Sequence, residues 1–163
     1  MKHFSISKFE NRDDESWTSF SDIGKEIDNE VLTYDSYFNT ESSYLNFASQ
    51  LLELLDMEAS DFHIKSLEDN RGQYSEKSLY AGIEFPRLKL CGGDNLTNSE
   101  LFSLIRLCLR DLMWLRLESM YGDYITFGHD FHMHVGVTKE INLDKLNFSK
   151  SKLYIVPCDE DPH

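Results

Sequence analysis

The feature that most constrains the fold is a long apolar segment that follows a strong helix-start signal. Thr97, with Glu100 three residues later, has the pattern of a capping box, in which two side chains satisfy free N–H groups of the first helical turn. One broad helical face then carries Leu101, Leu104, Ile105, Cys108, Leu112 and Leu115. The other sides are also apolar, with Leu107, Leu109, Trp114 and Leu117. The segment therefore predicts a buried central helix that reaches Leu117, with Cys108 as an inert core thiol.

A second helix is predicted from Tyr34 to about Met57. Thr33, directly before it, is a residue type that caps helix N-termini. The apolar positions that follow keep the spacing of one packed helical face: Tyr37, Tyr44, Leu45, Ala48, Leu51, Leu52 and Leu55. This helix is amphipathic, so we expect it to cover the core from one side.

The other segments have the character of strands. Extended structure is favoured at residues 2–8, 62–67, 79–90 and 153–156, although Pro86 excludes a central paired position in the third of these. From Ile125 to Val137 apolar and polar residues alternate around a turn at 128–130, which is typical of a β-hairpin or of one bent strand. The elements predict an α+β fold, a mixed α/β sandwich with two main helices packed on one mostly antiparallel sheet. The length suits a single domain over residues 1–163.

The charge of the chain excludes several classes of partner. There are 16 Lys and Arg residues against 29 Asp and Glu residues, a formal net charge of −13. Binding to nucleic acids and to anionic membranes depends on basic residues, so we expect neither as a partner. A basic protein is the natural electrostatic partner. Because the N-terminus has no apolar signal-peptide core and the three cysteines form no disulfide framework, we expect a cytoplasmic protein.

Acidic residues are concentrated between Glu10 and Glu30, where eight acidic residues stand against two basic ones. Aromatic and aliphatic side chains recur there at three-residue spacing, which indicates a segment anchored on the core and not a free acidic tail. The ordinary alternative for such a charge run is a solvated surface. An aromatic residue ringed by carboxylates can instead anchor a cationic partner. The residues predicted to contact the partner are Asp13, Asp14, Glu15, Trp17, Asp22, Glu26, Asp28 and Glu30.

A second candidate site lies in the sequence from His129 to His134. On an extended strand, His132 and His134 project from one face with Asp130 beside them, and imidazole and carboxylate groups are ligands for Zn²⁺. The opposite face is the apolar one, so the alternative is that these histidines lie on the solvent face of a half-buried sheet. A metal-dependent enzyme that uses His129, Asp130, His132 and His134 is the alternative function, but we expect no metal and no cofactor.

Two weaker candidates come from single motifs. Cys91 precedes two glycines and could form a nucleophilic set with His129 and Asp130, although no hydrolase signature surrounds it. Arg106 and Arg110 are four residues apart and could clamp an anion. Such a pair more often has a structural role and pairs with acids, here Asp111 or Glu118.

Five segments together carry a family resemblance: residues 17–24, 32–34, 66–72, 109–118 and 127–136, with WTSFSDIG as the first and FGHDFHMHVG as the last. Over roughly residues 17–137, the chain resembles immunity proteins of bacterial contact-dependent growth inhibition and related polymorphic toxin systems. Members tend to carry tyrosines at the positions of His132 and His134. Because Tyr cannot replace a neutral imidazole ligand, this difference weighs against a metal site.

The resemblance implies a protein without catalytic activity. Such a protein binds and blocks one cognate toxin domain, commonly a nuclease with a basic substrate cleft. The resemblance identifies no toxin-contacting residue, so the predicted contact residues rest on the charge pattern alone. A housekeeping interaction domain without a toxin partner is the third alternative.

Overall fold

The computed structural model describes residues 1–10, 16–27, 29–73, 77–83, 96–128, 131–142, 146 and 153–159. Its strands and helices, in chain order, are β1 (Lys2–Ser7), β2 (Glu26–Ile27), β3 (Glu30–Val31), α1 (Tyr34–Leu55), β4 (Phe62–Asp69), α2 (Asn98–Leu109), β5 (Met113–Ser119), β6 (Tyr124–Phe127), β7 (Met133–Val137) and β8 (Tyr154–Cys158). Single turns of 3₁₀ helix lie at Phe20–Asp22, Ala59–Asp61, Arg71–Gln73 and Lys77–Tyr80.

Six strands form one sheet in the order β4-β5-β6-β7-β1-β8, and each neighbouring pair is antiparallel. β2 and β3 form a separate two-stranded hairpin. Alternate residues of the strands, such as Leu115, Ile125 and Val135, join the buried faces of both helices in one hydrophobic core. The α+β class, with two helices packed on an antiparallel sheet, is therefore confirmed.

α1 matches its prediction closely. The hydroxyl of Thr33 accepts a hydrogen bond of 3.2 Å from the backbone N–H of Ser36. The helix ends at Leu55, and the next residue, Asp56, has a left-handed backbone with φ +56°. The buried face includes the predicted Tyr37, Tyr44 and Leu51. In the described ranges, neither this helix nor any other is long and apolar enough to cross a membrane.

α2 begins where predicted but is shorter. The capping box at Thr97 and Glu100 is present, with reciprocal hydrogen bonds of 3.2 and 2.9 Å, and seven of the twelve helical residues are buried. The chain turns at Asp111, where φ is +57°, and continues as β5, in which every second residue is buried. The prediction of a helix through Leu117 is therefore wrong. The spacing of Leu115 and Leu117 fits a strand, and backbone pairing with β4 and β6 stabilises that alternative.

The other strand predictions have mixed outcomes. The strands predicted at β1 and β4 are confirmed. For residues 125–137 the sequence favoured a hairpin or one bent strand, and the hairpin is correct, with Phe127 opposite Met133. The last strand extends further than predicted and includes Pro157. Extended structure at 79–90 is wrong in its described part, because residues 79 and 80 belong to a 3₁₀ turn and 81–82 to a further turn. Residues 84–95, with Pro86 and Cys91, lie outside the described residues.

Candidate partner-binding surface

The acidic segment, Glu10 to Glu30, contains a 3₁₀ turn at Phe20–Asp22, in which the carboxylate of Asp22 makes hydrogen bonds within the segment itself. The carboxylate of Asp22 accepts hydrogen bonds from the backbone N–H groups of Thr18 and Ser19, at 3.0 and 3.1 Å, and from Nζ of Lys25 at 2.8 Å. Burial by itself raises the pKa of Asp22, but these bonds outweigh it and hold the pKa below its ordinary value. Asp22 was predicted to contact a partner, and the structure places its charge within the fold of the segment.

Beyond this turn the described residues 24–27 and 29–32 form a largely exposed acidic hairpin. Backbone hydrogen bonds join Gly24 to Leu32 at 2.8 Å and Leu32 to Lys25 at 3.0 Å, and Asn29 takes the left-handed conformation, φ +64°, that a tight turn requires. Glu26 lies opposite Val31, and Ile27 opposite Glu30. Both glutamates are exposed, so two of the predicted contact residues project from this hairpin into solvent.

Two apolar side chains are exposed beside these glutamates. Val31 has 56% of its surface accessible and Tyr34 has 49%. The ring of Tyr34 stacks on Phe38, with centroids 6.2 Å apart, and meets the edge of Phe20 at 6.1 Å. Packing from behind therefore orients the Tyr34 ring while its outer side stays open, which is the arrangement of an aromatic anchor at a protein interface.

Trp17 is more enclosed than Tyr34. Its half-buried ring lies 5.3 Å from Tyr37 and 5.1 Å from Phe131, and Nζ of Lys8 sits 3.6 Å from its centroid. These contacts attach the acidic segment to the core, as the spacing of its apolar residues indicated. Tyr34, which sequence reasoning missed as an anchor, is the exposed aromatic residue next to the acidic hairpin.

The structure describes four of the eight predicted contact residues. Trp17 packs on Tyr37 of α1, Asp22 belongs to the 3₁₀ turn, and Glu26 and Glu30 belong to the hairpin. The other four, Asp13, Asp14, Glu15 and Asp28, lie outside the described residues. The signal that could have identified Tyr34 is its place as the first residue of α1, one turn before the buried Tyr37.

The histidines at positions 132 and 134 are less exposed than the interpretation as a solvent-facing pair implies. His132 and His134 do share one side of the strand, with ring centroids 6.3 Å apart and nearly parallel planes. However, only 8% of His134 is accessible, because its neighbours Ser5 and Thr126 on the adjacent strands are buried with it. His132 is half-buried, 6.1 Å from Phe9. The expectation that these histidines lie on a solvated face is therefore wrong for His134.

No metal centre forms among the residues that the structure describes, where no group of three or more His, Cys, Asp or Glu side chains could hold an ion. His129 and Asp130 fall outside those residues, as does Cys91. The metal interpretation and the nucleophile interpretation thus both depend on residues whose positions are not described.

Arg106 and Arg110 have the structural role that was favoured for them, but with a different acid. Both contact the buried Glu41 of α1, at 3.3 Å from Nε of Arg106 and 2.8 Å from Nε of Arg110. Arg110 also donates two hydrogen bonds of 2.8 Å to the carbonyls of Leu79 and Ala81. Its hydrogen bonds to the fold leave this guanidinium little capacity for an external anion.

Comparison of the chain with protein-family models, with curated proteins and with solved structures found no significant match in any of the three.

Proposed function

We propose that this protein is a non-enzymatic immunity protein that acts in the cytoplasm by binding and neutralising one cognate toxin domain. The toxin domain is a nuclease with a basic substrate cleft. The immunity protein covers that cleft with its acidic surface, so that carboxylates occupy positions that substrate phosphates would take.

The observation that carries the proposal is the acidic hairpin with the exposed Tyr34 at its base. Glu26 and Glu30 are exposed on a hairpin whose strands are joined by backbone hydrogen bonds. Val31, which is paired with Glu26, and Tyr34, the first residue of α1, offer exposed apolar area. Interfaces of high affinity commonly combine a desolvated aromatic anchor with a charged rim. A preformed hairpin also lowers the entropy cost of binding.

The net charge of −13 supports the same function through association kinetics. Oppositely charged surfaces steer two proteins together and raise the association rate by about 10- to 1000-fold over that of neutral surfaces. An inhibitor of a toxin gains from this effect, because it must bind the toxin before the toxin reaches its substrate.

The test is co-purification of this protein with the toxin fragment encoded immediately upstream of it, followed by calorimetry and a nuclease assay. We expect a 1:1 complex and complete loss of nuclease activity at equimolar inhibitor. Binding to no neighbouring gene product would contradict the proposal. Stoichiometric metal in the purified protein, lost in His132→Ala, would then support the metal-dependent enzyme instead.

A further inference from the structure

Lys8 lies against several aromatic rings at the edge of the acidic segment. Its Nζ is 3.6 Å from the ring centroid of Trp17, 4.2 Å from that of Phe9 and 5.8 Å from that of Phe131. It also donates a hydrogen bond of 3.4 Å to the hydroxyl of Ser16. The Trp17 ring thus already contacts a cation, as expected for the electron-rich face of an indole.

A groove of about 740 Å³ opens next to this cation. Its lining includes Lys8, Trp17, Glu30 of the acidic hairpin, and several side chains of α1. The groove is therefore continuous with the surface proposed to bind the toxin, and it joins an indole ring to an exposed carboxylate.

The side chains of α1 that line the groove are all uncharged and polar: Ser36, Asn39, Thr40, Ser42, Ser43 and Asn46. The hydroxyl of Thr40 donates to the carbonyl of Ser36 at 3.2 Å, and that of Ser43 donates to the carbonyl of Asn39 at 3.1 Å. Because these two hydroxyl protons are directed at helix carbonyls, their oxygens serve the groove as acceptors. The α1 side of the groove thus suits a ligand that is rich in hydrogen-bond donors.

We propose that this groove receives an arginine side chain of the protein partner, which displaces Lys8 from Trp17. The proposal rests on the proposed function, in which the partner is a basic protein. A guanidinium is planar and weakly hydrated, so it stacks on an indole and still donates in its plane to neutral acceptors and to Glu30. An ammonium is compact and strongly hydrated, and it gains less from the same walls.

The experiment titrates this protein alone with acetylated tetra-arginine amide and with the matching tetra-lysine peptide, by calorimetry at low ionic strength. The indole N–H signal of Trp17 is followed by NMR. We expect the arginine peptide to bind about tenfold more tightly and to shift the Trp17 signal. Equal affinities for the two peptides, or an unshifted Trp17 signal, would overturn the proposal.

Matched variants distinguish binding of the arginine peptide in this groove from its general electrostatic attraction to an acidic protein. Glu30→Gln is expected to weaken the arginine peptide severalfold, while Glu53→Gln, an exposed glutamate near the other end of α1, leaves its affinity unchanged. Equal losses in both variants would indicate diffuse electrostatics and overturn the proposal. Trp17→Leu removes the indole face and is expected to reduce the affinity about tenfold.

Lys8→Met supplies a test that does not disturb Trp17. It removes the competing cation and keeps most of the apolar stem, so the arginine peptide is expected to bind more tightly. An unchanged or lower affinity would contradict displacement of Lys8.

The peptide results are independent of the toxin. Toxin neutralisation without peptide selectivity would overturn the groove alone, and selectivity without neutralisation would overturn the proposed function alone.

Discussion

Glu41 of α1 and Arg110, 69 residues later in the chain, form a buried ion pair with two parallel hydrogen bonds of 2.8 Å. Each residue has 3% of its surface accessible. Because Arg110 also donates to the carbonyls of Leu79 and Ala81, this one guanidinium ties α1, the end of α2 and the 77–83 segment together. The guanidinium lies 5.7 Å from the ring of Phe20 and 5.3 Å from that of Phe38, the two rings that pack against Tyr34.

Glu41→Gln is expected to destabilise the protein by about 3–5 kcal/mol, because it leaves the charge of Arg110 buried without a carboxylate of opposite sign. Urea denaturation measures the loss. The control is Glu140→Gln in the exposed pair with Lys2, which should leave the unfolding midpoint unchanged. A loss below about 1 kcal/mol for Glu41→Gln would mean that the buried pair contributes no more than a surface pair.

Gly136→Ala is expected to lower the free energy of unfolding by about 1–3 kcal/mol, because the added methyl group overpacks the sheet. A Cβ atom at Gly136 would lie 2.2 Å from Cε1 of Tyr124, and that ring is fixed by a 2.9 Å hydrogen bond between its hydroxyl and Nδ1 of His3. The cost should fall sharply in a Tyr124→Leu background, which a double-mutant cycle measures. Gly72→Ala, with open space around the new methyl group, is the control. Equal costs at the two glycines would refute this assignment.

Cys108 is expected to resist alkylation in the native protein. Burial raises the pKa of its thiol well above the ordinary value, so little thiolate forms at neutral pH. Cys158 is half-buried and should react faster with iodoacetamide. Mass spectrometry of peptides after timed labelling separates the sites, and labelling in urea supplies the reference. Similar native rates at Cys108 and Cys158 would contradict the buried position of α2.

The capping box of α2 predicts a specific dependence of stability on pH. Hydrogen bonds from the backbone N–H and the hydroxyl of Thr97 lower the pKa of Glu100 from its ordinary 4.5. A carboxyl group whose pKa is lower in the folded state stabilises the fold fully above its unfolded pKa, and this contribution is lost as the pH falls through the folded value.

Glu100→Gln should therefore cost about 0.3–1 kcal/mol at pH 7 and less at pH 3, which lies below the ordinary pKa of the carboxyl group. Unfolding free energies of the two proteins across this pH range provide the measurement. Glu53→Gln, in an exposed position of α1, is the control and should show no such convergence. A Glu100→Gln cost that is the same at both pH values would show that the charge of Glu100 is irrelevant to the cap.

The sequence predicted the elements whose signals are local. The caps at Thr33 and Thr97 act within one helical turn, and both helices begin at the predicted residues. The end of α2 could not be predicted in the same way, because the residues after Asp111 fit helical and alternating patterns equally well. Their structure depends on strands β4 and β6, which are distant or later in the sequence.

The candidate surface was predictable in its charge but not in its geometry. Strands of two residues, as in β2 and β3, are too short for an alternation signal, and the hairpin depends on the backbone of Asn29. The burial of His134 arises from its neighbours on β1 and β6, which one strand does not reveal. The partner of Arg110 was likewise 69 residues away.

The most direct test of the central claim, that the acidic hairpin is the toxin-binding surface, is the rate of association with the upstream-encoded toxin fragment at several salt concentrations. The double variant Glu26→Lys/Glu30→Lys should associate at least about tenfold more slowly than the unmodified protein at low salt, with the difference shrinking as ions screen the charges. Glu53→Lys/Glu140→Lys, which changes the same charge at exposed positions outside the hairpin, should have a much smaller effect. Equal slowing by both double variants, or an association rate that neither changes, would contradict the claim.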